Sequence, residues 1–190
     1  MENKRHLSER EILSISENSM NKTFGELGLS TFRDKSNKGG FGTFVEEAVF
    51  GYNANNDDNP DFIEAGIELK VTPVKLNENG FFSSKERLVL NMIDYEKEAE
   101  TTFETSSFYR KNKRLLIWFY HYIKDIPETD FMLTAYDLFE FENSLEYKII
   151  KHDWEIIHEK ITKGQAHTIS ESDTTRSEEH TSELQSRQSI

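Results

Sequence analysis

In the largely apolar stretch DFIEAGIELK, residues 61–70, three of the four charged side chains have the types and spacing for chemistry: Asp61, Glu68 and Lys70. On an extended strand, Glu68 and Lys70 point to one face while the intervening Leu69 points to the other. If a preceding strand brings Asp61 beside Glu68, the two carboxylates form the kind of hard oxygen site that holds magnesium. A lysine next to a metal-bound water can stabilise the charge that develops during phosphodiester hydrolysis. The spacing therefore indicates a magnesium-dependent nuclease site.

A looser copy of the same pattern lies further along the chain, where Asp137 precedes Glu146 and Lys148. Such matches arise by chance in a chain with 35 acidic residues. The first copy has apolar flanks and follows a turn-rich loop, whereas the second lies in LFEFENSLEYK, which is typical of a solvated surface. These flanks favour residues 61–70 as the site.

Two other kinds of metal site are excluded, the first by residue type and local structure and the second by spacing. Four residues fall at the first, third, fifth and twelfth places of an EF-hand loop: Asp57, Asn59, Asp61 and Glu68. That loop needs glycine at its sixth place, where this chain has Phe62, and the segment that follows is strand-like. His152 and His158 lack the four-residue spacing of a zinc metalloprotease helix, so their segment is interpreted as a surface helix.

The composition describes one folded domain with an acidic surface. With 190 residues, 35% hydrophobic and 12% aromatic, the chain is long and apolar enough for a real core. It has no cysteine, which excludes disulfides and is compatible with a reducing compartment. No apolar run approaches membrane-spanning length and no secretory signal begins the chain, so a cytoplasmic protein is expected. Because the net charge is −12, any contact with nucleic acid must come from a local basic cluster.

The helices that would position the site are marked by caps and apolar periodicity. In LSEREILSIS, Ser8 and Glu11 form a capping box that begins a helix. The glycine-rich turn in NKGGFGTFVEEAVFGY leads into a short buried helix that ends at Gly51. In IIKHDWEIIHEKITKG the apolar residues recur at helical spacing, and Gly164 ends that helix.

The strands are predicted on both sides of the charged stretch. Residues 61–63 and 67–71 predict two short strands joined around Gly66, with Pro73 closing the second. Downstream, the basic segment SSFYRKNKR runs into LLIWFYHY, which has the length and composition of a buried strand. Basic side chains are therefore expected at a strand entrance.

Four stretches of the chain occur in an order that resembles a known family: KGGFGTFVEEAVFG, DFIEAGIELKVTPV, FETSSFYRKNKRLL and HDWEIIHEKITKGQ. They resemble MutH, the mismatch-repair nicking endonuclease, and the related GATC-cutting type II restriction endonucleases, over roughly residues 37–165. Pro60 supplies the proline that precedes the first aspartate of the family motif. The resemblance implies an α/β fold with a restriction-endonuclease-like PD-(D/E)xK core, a mixed β-sheet flanked by helices, with the family's terminal strands missing.

The same resemblance assigns a set of catalytic residues: Glu46, Asp61, Glu68, Lys70 and Lys111. Asp61 and Glu68 are the implied ligands of the cofactor, Mg²⁺. Glu46 matches an additional active-site glutamate, although spacing alone does not choose between it and Glu47, since both flank the apolar stripe of their helix. Lys111 matches a further active-site lysine.

DNA contacts are assigned to a glycine-rich turn and a basic cluster: Lys38 and Gly39, and Arg110, Lys113 and Arg114. Lys38 matches a family lysine at the same place, and backbone amides at a helix start suit a phosphate. The basic cluster is the candidate for local phosphate contact in an otherwise acidic chain. By resemblance, the substrate is double-stranded DNA at GATC, and the resemblance identifies no base-reading residue.

Two biological roles are compatible with this family, restriction and mismatch repair. The glycine pair and EEAVFGYNANND favour a type II restriction endonuclease, whose relatives carry a second, related domain, so a second domain or a dimer is expected in the intact protein. The alternatives are a mismatch-repair nicking endonuclease and a non-catalytic DNA-binding domain of the same fold.

The end of the chain departs from a folded pattern. RSEEHTSELQS matches the translation of a common sequencing adapter, so residues 1–175 are interpreted as an endonuclease domain that is incomplete at its C-terminus and residues 176–190 as a non-native tail. A chain without the family's last strands is expected to be poorly active and marginally stable.

Overall fold

The computed structural model describes residues 6–30, 40–52, 58–90 and 92–174. Over these residues the chain forms five α-helices: α1 (Glu9–Ser19), α2 (Gly40–Phe44), α3 (Tyr95–Glu98), α4 (Ser107–Asn112) and α5 (Tyr147–Thr162). It also forms four strands: β1 (Glu68–Leu76), β2 (Phe82–Ser84), β3 (Arg114–His121) and β4 (Met132–Glu140). They make one sheet in the order β2-β1-β3-β4, in which β1 and β3 are parallel and the other neighbours are antiparallel. The predicted mixed sheet flanked by helices is confirmed.

Strand β3 is the centre of the hydrophobic core. Its six inner residues are buried, as the continuous apolar run predicted. Because side chains alternate along a strand, β3 contributes to both faces of the sheet. Leu116 and Trp118 pack in one core with Ile12 of α1, whereas Leu115 and Ile117 pack in a second core on the other face.

Helix α1 is fastened to the first core by a hydrogen bond as well as by apolar contact. It begins with the predicted capping box, in which the Ser8 N–H donates to Glu11 Oε2 at 2.8 Å. On its inner face, Ser16 is fully buried and its Oγ accepts a hydrogen bond from Trp118 Nε1 at 3.0 Å. This contact links residues 102 positions apart and sets the helix against β3.

Two helix ends follow the sequence prediction. Helix α2 continues into a π-helical turn, Val45–Phe50, that ends at Gly51 with φ of 72°. Helix α5 ends at Thr162, and Gly164 follows with φ of 69°. Both glycines adopt the left-handed conformation that is easiest for a residue without Cβ, so both predicted stops are confirmed.

Of the two short strands predicted around Gly66, the second is confirmed as the start of β1 and the first is wrong. Residues 61–63 form no strand, and Phe62 makes a single bridge with Ile67. In a longer antiparallel ladder, the next hydrogen-bonded pair would be residues 60 and 69, but Pro60 has no N–H to donate. The Leu69 N–H donates instead to the side chain of Asp61, at 2.8 Å.

Pro73 does not close its strand, because β1 continues through it to Leu76. The Pro73 carbonyl accepts from the Lys85 N–H at 3.1 Å, and so faces β2. The N and C=O of one strand residue point the same way, so the N–H that proline lacks belongs to the β2 side of β1. The ladder between β1 and β3 loses no hydrogen bond, and the strand can pass through the proline.

Lys38, Gly39 and residues 176–190 lie outside the described residues. Among the residues that are described, no helix is both long enough and apolar enough to cross a membrane.

The bond between α1 and β3 can be tested by Ser16→Ala. The variant leaves Trp118 Nε1–H buried without its acceptor, so the free energy of unfolding should fall by about 1–3 kcal/mol. Urea unfolding followed by circular dichroism measures this. Ser14→Ala is the matched control, because Ser14 is exposed on the same helix; an equal loss in both variants would contradict the assigned bond.

Candidate active site

The first carboxylate, Asp61, is held beside the start of β1 by a backbone hydrogen bond. Its Oδ2 accepts the Leu69 N–H at 2.8 Å, and the side chain is buried, with the residue 8% exposed. Between Asp61 and β1 the chain reverses at Gly66, whose φ of +63° a residue with a side chain rarely adopts. We call residues 61–68 the carboxylate turn, since Asp61 and Glu68 stand at its two ends.

The second carboxylate, Glu68, lies between two lysines. Its Oε1 is 2.9 Å from Lys70 Nζ and 3.8 Å from Lys111 Nζ, and the residue is only 4% exposed. Lys70 lies on the same face of β1, as the strand alternation predicted. Lys111 comes from α4, which ends just before β3, and β3 pairs with β1 so that Leu115 stands opposite Glu68. The parallel pairing therefore brings a lysine more than 40 positions away against the second carboxylate.

The third carboxylate is supplied by the π-helical turn. Glu46 is half-buried, whereas its neighbour Glu47 is exposed to solvent. Burial raises the pKa of Glu46, and the charges of Glu68 and Glu47 raise it further, against the opposing effect of the two lysines. Glu46 thus belongs to the same electrostatic cluster as Glu68, a distinction that sequence spacing did not make.

The cluster holds more negative charge than its two lysines balance. The pKa of Asp61 is raised from its ordinary 3.8 to about 7, chiefly by burial and further by the charges of Glu68 and Glu46. The Leu69 N–H and Lys70 act in the opposite direction and do not compensate. A cation placed among these carboxylates would favour their charged forms.

Glu68 also presents an oxygen that could bind such a cation. Its Oε2 is buried and has no hydrogen-bond partner among the residues that the structure describes. In the same set of residues, no three His, Asp or Glu side chains converge as a ready-made metal site. The site therefore offers a pair of carboxylates, Asp61 and Glu68, with the remaining positions left to other ligands.

The predicted basic cluster divides into two groups. Arg110 and Lys113 are exposed, and the Lys113 stem lies 3.9 Å from the position that a Cβ would take on Gly66. Arg114 is directed inward, with Nη2 2.7 Å from Glu9 Oε2, Nε 3.1 Å from Glu140 Oε1 and Nη1 donating to the Ala65 carbonyl at 2.9 Å. Sequence analysis missed the contact between Arg114 and the Ala65 carbonyl, because the two residues are 49 positions apart and no local sequence pattern predicts it.

A mixed sheet flanked by helices, with Asp61, Glu68 and Lys70 gathered at the start of one strand, defines a restriction-endonuclease-like α/β domain. A family model described as "DNA mismatch repair enzyme MutH" matches residues 50–153, and the chain belongs to this family. The chain is also 50% identical over 126 residues to the type II restriction enzyme Sau3AI of Staphylococcus aureus, a match that covers 66% of this chain and 26% of that protein. The chain thus spans about a quarter of the length of this relative. The family predicted from motif order is confirmed.

The raised pKa of Asp61 predicts how stability depends on pH in the absence of metal. Between pH 3.8 and about 7 the folded chain keeps a proton on Asp61 that the unfolded chain has released, so this residue lowers the free energy of unfolding as pH rises. Asp61→Asn keeps an acceptor for the Leu69 N–H and removes the titration. We expect the stability of the variant relative to the wild type to increase with pH across this window.

Urea unfolding in EDTA at a series of pH values measures the difference. A difference between variant and wild type that stays constant from pH 4 to about 7 would contradict the raised pKa of Asp61.

Proposed function

We propose that this chain carries the catalytic site of a Mg²⁺-dependent type II restriction endonuclease, which hydrolyses phosphodiester bonds in double-stranded DNA at GATC. The observation that carries the proposal is the buried pair Asp61 and Glu68 with Lys70 2.9 Å from Glu68 Oε1. Membership of the MutH family and the 50% identity to a type II restriction enzyme support it. GATC is the site expected from the family resemblance.

The residues present fit a magnesium ion. Mg²⁺ is usually held by one or two carboxylates, with water and substrate phosphate completing its shell. Asp61 and Glu68 are the residues that would hold it, and Glu68 Oε2, which has no hydrogen-bond partner among the described residues, is an oxygen left for it. Bound there, the ion would lower the pKa of a coordinated water and polarise the scissile phosphate.

The side chains around this pair have separate proposed roles. Lys70 holds one oxygen of Glu68 and places a positive charge where the phosphate becomes more negative during hydrolysis. Lys111 adds a second positive charge on the same oxygen at 3.8 Å. Glu46 adds negative charge to the cluster and so strengthens its attraction for a cation. Burial of the group makes each of these charges act more strongly than it would in water.

Two groups of residues are proposed to contact DNA phosphates, one from its exposed position and one from the family resemblance. Arg110 lies on α4, the helix that carries Lys111, and Lys113 directly follows that helix; both are exposed, so they can reach phosphates next to the scissile one. Lys38 and Gly39 are proposed as a further phosphate contact. A second related domain or a dimer is proposed to complete the DNA-binding surface, since the chain spans about a quarter of its restriction-enzyme relative.

A second candidate function is favoured by the family model, whose description is that of a mismatch-repair enzyme. A supercoiled plasmid with a single GATC site separates the two. Linear product indicates a restriction enzyme, whereas open circles that persist indicate a nicking enzyme. Binding without any Mg²⁺-dependent product would point to a non-catalytic DNA-binding domain and would refute the proposal.

The role of Lys70 is tested by Lys70→Ala. Cleavage of the plasmid should fall at least about 100-fold, because a charge that stabilises the transition state is lost, while DNA affinity in EDTA stays close to that of the wild type. Initial rates from gel-resolved products and a fluorescence-anisotropy titration measure the two quantities.

Lys75→Ala is the matched control, since Lys75 is an exposed lysine on the same strand. Cleavage by Lys70→Ala at the rate of this control would contradict the catalytic role of Lys70.

Glu46 and Glu47 form a natural pair for a second test. Glu46→Gln should raise the Mg²⁺ concentration needed for half-maximal cleavage by about tenfold or more, because a half-buried negative charge near the ligands is removed. Glu47→Gln should leave this concentration nearly unchanged, because Glu47 is exposed. Equal shifts in the two variants would show that the effect is only one of overall charge.

A further inference from the structure

The Arg114 guanidinium joins three separate segments of the fold. Its nitrogens contact Glu9 on α1, Glu140 at the end of β4 and the Ala65 carbonyl, over distances of 2.7 to 3.1 Å. The side chain is mostly buried, with 23% of its surface exposed. Two carboxylates at this range offset its charge, so it adds no net positive charge to the surface there.

Of these three contacts, the hydrogen bond to the Ala65 carbonyl is the one that restrains the carboxylate turn. Ala65 lies in the middle of the carboxylate turn, between the bridge residues Phe62 and Ile67. The bridge and the bond from Leu69 to Asp61 join the two ends of the turn, and Gly66 N–H donates to the Ile63 carbonyl within it, whereas the side chain of Glu64 contacts His6 and Tyr52 rather than the sheet. A restraint on the tip of the turn therefore limits how far its two ends, Asp61 and Glu68, can move apart.

We propose that Arg114 is a positioning residue, which holds the carboxylate turn against β3 through the Ala65 carbonyl and so keeps Asp61 beside Glu68. The inference rests on the proposed function, since it concerns the same metal-binding pair. It replaces the sequence-based expectation that Arg114 contacts DNA phosphate. Arginine suits this role because its rigid planar fork can donate in three directions at once, whereas lysine presents a single nitrogen on a flexible stem.

The first test measures Mg²⁺ binding without DNA, by isothermal titration of the wild type, Arg114→Ala and Arg114→Lys. Arg114→Ala should bind Mg²⁺ about 10- to 100-fold more weakly, the usual effect of losing a group that orients metal ligands. Arg114→Lys should restore little, although it keeps the charge. Arg10→Ala is the matched control, because Arg10 is an exposed arginine on α1. Wild-type affinity in Arg114→Ala would overturn the inference.

The second test uses Glu140→Gln, which removes one carboxylate from Arg114 without touching the arginine. If Arg114 holds the turn, this variant should weaken Mg²⁺ binding and leave DNA affinity in EDTA unchanged. If Arg114 contacts phosphate, freeing it should tighten DNA binding and leave Mg²⁺ affinity unchanged, which would overturn the inference. This milder variant decides the question if Arg114→Ala does not fold.

Hydrogen exchange provides a readout that does not depend on activity. The amides of Phe62, Ile67 and Leu69 are hydrogen-bonded within the carboxylate turn or to Asp61, and they should exchange faster in Arg114→Ala than in Arg10→Ala. Unchanged exchange at these amides would overturn the inference. If the wild type binds no Mg²⁺ but these amides still respond to Arg114→Ala, the proposed function fails while the positioning role stands.

Discussion

The parallel pairing of β1 with β3 is the constraint on which the candidate site depends. Parallel strands begin at the same edge of a sheet, so the residues just before β3 come to the start of β1. The register sets Leu115 opposite Glu68, so α4, which ends just before β3, lies next to the start of β1. From α4, Lys111 reaches Glu68. A shift of the register by one residue would turn Glu68 and Lys70 to the opposite face of the sheet.

The carboxylate cluster at the start of β1 has an electrostatic cost for the stability of the fold. Burying carboxylates is unfavourable unless they are paired, and the cluster pairs Glu68 with two lysines while leaving Asp61 with a pKa of about 7. The apolar side chains of β3 on both faces supply the packing that offsets this cost. A group of buried charges that destabilises its own fold is typical of a site kept for chemistry rather than for stability.

Short-range features were predictable because their cause lies within a few residues. The Ser8 capping box, the stop at Gly51 and the stop at Gly164 follow from side chains and glycines that act on their own helix ends. Pro73 was misread for the opposite reason. Whether a proline ends a strand depends on which neighbour its missing N–H would have faced, and that is known only once β2 and β3 are in place.

The amino-acid sequence by itself determined the acid–acid–lysine set at residues 61–70, the buried strand β3 and the family, because motif order and apolar runs are properties of the chain. The family resemblance had already favoured Glu46 over Glu47, whereas only the tertiary structure showed that Glu46 is half-buried near the charge of Glu68 and that Arg114 turns inward to the Ala65 carbonyl. The first depends on which side of the π-helical turn is shielded from solvent, and the second on a contact across 49 positions. Burial and long-range contact arise from packing, and local spacing carries no record of them.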